Sequence, residues 1–63
     1  MRYDIKNAID NGRVVFKNVF DTDRGRYLLM VVKDPNDEPY LFKYKNRKLV
    51  YAEKISKMKE IDI

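Results

Sequence analysis

Between Tyr40 and Lys54 the chain reads YLFKYKNRKLVYAEK, and four cations, Lys43, Lys45, Arg47 and Lys48, fall within six positions of it. Ammonium and guanidinium groups clustered without an intervening acid are suited to neutralising phosphates, each contact adding to a salt-dependent affinity. Arg24, Arg26 and Lys33 lie elsewhere in the chain and stand in support of that cluster. Tyr40, Phe42, Tyr44 and Tyr51 are interleaved with it. Rings on a sheet surface stack on unpaired bases. The same rings are also the material a small domain needs for its core, and the sequence favours that use. Lysines alone would then face a ligand, with Tyr44 emerging at the edge of the core, and recognition would be of a backbone rather than of bases.

Other chemistries find few groups to work with. The chain has no Cys and no His, one Ser (Ser56) and one Thr (Thr22). Nucleophilic catalysis needs such a group beside an activating base, and Ser56 reads as a solvated serine in a lysine-rich segment. Asp21 and Asp23, and Asp34, Asp37 and Glu38, sit in two segments that read as turns, where Asp bonds its own backbone. Gly25 falls at the fifth position of DTDRG, which does not fit a calcium loop. Gly12 and Gly25 are the two glycines and stand apart, so no glycine-rich phosphate cradle is present. The expectation is a non-enzymatic protein without metal or cofactor.

Charge supports the same emphasis. Of a net +4, residues 1–32 carry +2, residues 33–42 carry −2 and residues 43–63 carry +4. No apolar run approaches the roughly 18–20 residues that span a bilayer, and the first ten residues lack the apolar core of a signal peptide. A cytoplasmic protein with no membrane partner is expected.

The elements that would position these residues follow from periodicity. Ile5, Ala8 and Ile9 share one helical face, with Asp4 as N-cap and Gly12 as a left-handed stop. RVVFKNVF (Arg13–Phe20) reads as a strand, DTDRG as a turn, and RYLLMVVK (Arg26–Lys33) as a central strand covered on both faces. The register of that first hairpin stays open, because two loop lengths are compatible with it. DPNDEP is a polar loop. Tyr40–Lys45 and Lys48–Glu53 form a second hairpin, in which Tyr44 pairs with Leu49 and Phe42 with Tyr51. One face then carries Tyr40, Phe42, Tyr44, Leu49 and Tyr51, and the other Leu41, Lys43, Lys45, Lys48, Val50 and Ala52. A short C-terminal helix is expected from Glu53, through a Glu53–Lys57 pair, with Ile61–Ile63 frayed.

The expected fold class is α+β: one domain over residues 1–63, a small antiparallel meander of three or four strands with a short helix at its N-terminus and a short one at its C-terminus. The expected function is a binding module that docks its basic hairpin on an anionic macromolecule, nucleic acid first. The alternative is a small protein-binding regulator or inhibitor, of the kind phages and mobile elements carry, using a sheet edge or an apolar patch and acting as a homodimer, and its basic tip could equally dock on an acidic protein surface.

Overall fold

A computed structural model describes residues 2–58. Helix α1 (Tyr3–Asn11) is followed by strands β1 (Arg13–Thr22), β2 (Gly25–Lys33), β3 (Pro39–Lys45) and β4 (Lys48–Lys54), and by a single 3₁₀ turn, Ile55–Lys57. The strands form one antiparallel sheet in the order β1-β2-β3-β4. The expected α+β meander is present, with four strands.

The helix is short, and its stability must come from the face it buries. Ile5 and Ala8 pack on Val32, Tyr40 and Phe42, with Met30, Tyr44, Leu49 and Ala52 around them. Asp4 is not the N-cap. Arg2 holds that position, and Asp4 lies in the first turn, where its Oδ1 accepts the Ile5 N–H at 2.9 Å. The start shifts because the Arg2 guanidinium reaches both Asp4 and Glu53, tying the helix to β4. Gly12 ends the helix in extended backbone (φ −90°), not in the left-handed region. Glycine is required there by crowding: a Cβ would lie 2.4 Å from the carbonyl oxygens of both Ala8 and Lys33.

The first hairpin is tighter than DTDRG suggested. Thr22 pairs with Gly25, leaving Asp23 and Arg24 as a two-residue turn. Asp21 and Thr22 belong to the strand because each is held across the turn. Asp21 pairs with Arg26 at 2.9 Å. Thr22 Oγ1 accepts the Arg24 N–H and donates to the Gly25 carbonyl. A bulge at Val15 interrupts the ladder near the start of β1. In the β2–β3 loop the buried Asp34 accepts the N–H groups of Asn36 and Glu38, the backbone role expected of it.

Three further expectations are corrected. Strand β2 is covered on one face only, at the end where α1 lies; no element among the described residues covers its other face, where Leu29 and Val31 stay half-exposed. The second hairpin pairs Tyr44 with Leu49 as expected, but then Lys43 with Tyr51 and Phe42 with Ala52. The extra residue is Val50, a β-bulge. It sends Tyr51 to the lysine face and brings Ala52 under the helix, where a small side chain fits beside Phe42. Finally, β4 continues through Lys54 and no α-helix follows within the described residues. Glu53 is engaged by Arg2, which draws it into the sheet. The expected fraying of Ile61–Ile63 lies outside the described residues.

Candidate functional site

The hairpin tips of β1–β2 and β3–β4 lie side by side at one end of the sheet, because Tyr27 pairs with Lys45. Asn46 locks them together. Its N–H donates to the Arg26 carbonyl (2.8 Å) and its Oδ1 accepts the Arg26 N–H (3.0 Å). Gly25 at φ 135° leaves room for that amide, since a Cβ there would lie 2.9 Å from it. Asn46 and Arg47 take φ 49° and 71°. Two consecutive positive φ values are what a type I′ hairpin turn demands.

This turn sorts the four clustered cations. Lys45 and Lys48 flank it as a directly paired couple, and with Lys43 they stand on the face away from the helix. Like charges so placed cost roughly 0.2–1 kcal/mol. Part of that is offset by a ring: Lys43 and Lys45 place their Nζ atoms 5.3 and 5.9 Å from the centroid of Tyr27, within cation–π range. Tyr27 in turn stacks on Phe20 with centroids 5.5 Å apart. Among the described residues, none of Lys43, Lys45, Arg47 and Lys48 has a carboxylate within salt-bridge distance.

The face that carries Lys43, Lys45 and Lys48 is not the ring-free surface the sequence suggested. The register places Phe16, Phe20, Tyr27 and Tyr51 there, with Leu29, Val31 and Leu41 between them. Phe16 is 54% exposed and Tyr51 42%. The eight rings of the protein are divided: Tyr40 and Phe42 are buried under the helix, Tyr44 lies on the same side beyond it, Tyr3 is exposed on the helix, and these four stand on the open side. Phe16 and Phe20 could have been found from their spacing of four in β1, which puts both on one strand face. Tyr51 could not, because Val50 carries no local mark of a bulge.

The supporting residues scatter. Arg24 lies in the β1–β2 turn, at the same end as the cluster. Arg26 is paired with Asp21, whose carboxyl is held below the usual range by that guanidinium. Lys33 lies at the far end of the sheet, 3.5 Å from Asp37. Tyr44 faces the helix side, where α1 is too short to reach the hairpin tips. It lines an open groove of about 410 Å³ with Lys17, Val19, Arg26, Leu28 and Arg47. Arg47 thus leans to the side opposite its three lysine neighbours.

Among the described residues no cluster of His, Cys, Asp or Glu could hold a metal ion, and no buried side-chain N or O atom lacks a partner. No described helix is long and apolar enough to cross a membrane. Compared with protein-family models, curated proteins and solved structures, the chain matches none of them.

Proposed function

We propose that the protein is a non-enzymatic binding module that holds single-stranded nucleic acid on the open face of its sheet. One observation carries the reading: Lys43, Lys45 and Lys48, unpaired with any described carboxylate, share an uncovered face with Phe16, Phe20, Tyr27 and Tyr51. The lysines supply backbone attraction, and the rings supply the stacking that distinguishes an unpaired strand from a duplex. Stacking is tolerant of base identity, so little sequence preference follows. Tyr27 is already capped by two lysines, and Phe16, Phe20 and Tyr51 are the platforms that meet bases first.

Anisotropy of labelled oligonucleotides tests this. Single-stranded DNA or RNA of about a dozen nucleotides should bind more tightly than a duplex of equal length. Tyr51→Ala or Phe16→Ala should each weaken single-strand binding by about 1 kcal/mol or more, roughly fivefold upward. Equal affinity for duplex and single strand, unmoved by either substitution, would leave the lysines reading the phosphate backbone alone, and binding to neither would leave them as a docking surface for an acidic protein.

A further inference from the structure

The two edges of the sheet are built differently. In β4 the bulge at Val50 falls in the middle of a seven-residue strand, a known way of blunting an edge. In β1 all ten residues are exposed, including Val14, Val15, Phe16, Val19 and Phe20. Its bulge lies near the start, and the ladder from Phe16 to Thr22 is unbroken. No proline stands in the strand.

The free hydrogen-bonding groups of that edge can be assigned. The Arg26 carbonyl accepts from Asn46, so Arg26 directs its backbone toward β3 and not toward its β1 partner Asp21. Antiparallel ladders alternate. Asp21, Val19 and Lys17 therefore point their N–H and C=O groups away from β2, off the edge of the sheet.

We propose that this edge pairs with the β1 edge of a second copy of the chain, antiparallel, about a twofold axis through Val19. An isologous pairing places outward residues against outward residues, with its axis through an outward residue or through an inward one; through Asn18 or Phe20, Lys17 or Asp21 would lie against Val19 and gain no opposite charge from it. Centred on Lys17 it opposes lysine to lysine, and centred on Asp21 it opposes aspartate to aspartate. Centred on Val19, Lys17 of each copy faces Asp21 of the other, twice, joining on that carboxylate the Arg26 that already holds its Oδ1, and Val19 meets Val19. Lys17 has no carboxylate partner among the described residues of its own chain. A lone lysine on an edge ordinarily repels a second strand; with an aspartate four residues on, it selects one register instead. Phe20 of the two copies become diagonal neighbours on the open face, within reach of aromatic side chains. The product is a continuous eight-stranded sheet with both helices on one side and both open faces on the other.

This inference does not depend on the nucleic-acid reading, and it is tested without ligand by sedimentation equilibrium of the full chain at micromolar concentrations. A species of twice 7.6 kDa is expected. Val19→Pro removes an outward donor without touching the β1–β2 ladder; it should give a monomer whose circular dichroism is unchanged. Lys17→Asp and Asp21→Lys should each weaken self-association by more than about tenfold, since like charges then oppose across the axis. Mixing those two variants should restore a heterodimer, because both cross-axis pairs become opposite in sign. A monomeric wild type overturns the proposal. So does a dimer indifferent to Val19→Pro, or a failure of the two charge variants to pair.

Discussion

Arg47 stands at the second position of a type I′ turn, at φ 71°, where glycine is the usual residue. A left-handed backbone costs a residue with a Cβ about 1–2 kcal/mol. Asn46 before it tolerates the conformation and is held by Arg26; Arg47 has no such compensation. Strain of this kind in a charged residue at an exposed tip points to a use for the charge. Replacing Arg47 by Gly separates the two effects. Relief of strain, less about 0.5–1 kcal/mol of added chain entropy, should raise stability by about 0.5–1 kcal/mol in urea unfolding. Arg47 leans from the open face toward the groove, so a strand reaches it by passing over the hairpin tip; the same variant should then bind single-stranded nucleic acid more weakly and with a shallower salt dependence. A variant that is both more stable and equally tight in binding would remove Arg47 from the interface.

At the scale of elements, the bulge in β4 decides which rings are core and which are surface. With Val50 as the extra residue, deleting it joins Leu49 directly to Tyr51 and leaves both pairings, Tyr44 with Leu49 and Lys43 with Tyr51, in place. The deletion should therefore cost less than about 1 kcal/mol, as a change at a half-exposed position, and Tyr51 should remain accessible to quenchers. In the regular register read from the sequence, the same deletion would move Tyr51 out of the core and cause a large loss of stability in thermal unfolding. The sequence made the Tyr44–Leu49 pairing legible because two loop lengths lead to it. Two residues further on it was silent, since the choice between Tyr51 and Ala52 beneath the helix depends on the space beside Phe42, a tertiary quantity. Strand β2 misled for a related reason: a run such as YLLMVV looks alike whether its second face is covered or merely shielded by neighbours on an open sheet. The cations of the candidate site were legible from composition and spacing alone. Its rings depended on the register of β1 and the bulge of β4, and neither is written in local pattern.

Across the whole molecule most ion pairs gather at the helix end, although Lys54 and Lys57 there have none among the described residues. Arg2, Lys6, Arg13 and Lys33 are each paired with carboxylates around the helix and the Asp34–Asp37 loop. At the hairpin tips Arg26 is paired with Asp21, while Lys43, Lys45, Arg47 and Lys48 have no such partner among the described residues. The long axis spans 37 Å, several times the Debye length of about 8 Å at physiological salt, so the two ends act independently on an approaching anion. Three or four phosphate contacts at the tips correspond to a slope of about −2 to −3 in a plot of log affinity against log salt for a single strand. Lys45→Gln should reduce that slope by about 0.7. Lys6→Gln removes the same formal charge at the other end and should leave the slope unchanged, because its ammonium is already occupied by Asp10 at 2.7 Å. If both substitutions flatten the dependence equally, net charge governs binding and the sheet face has no special part in it; if only the first does, the attraction belongs to the surface where lysines and rings meet.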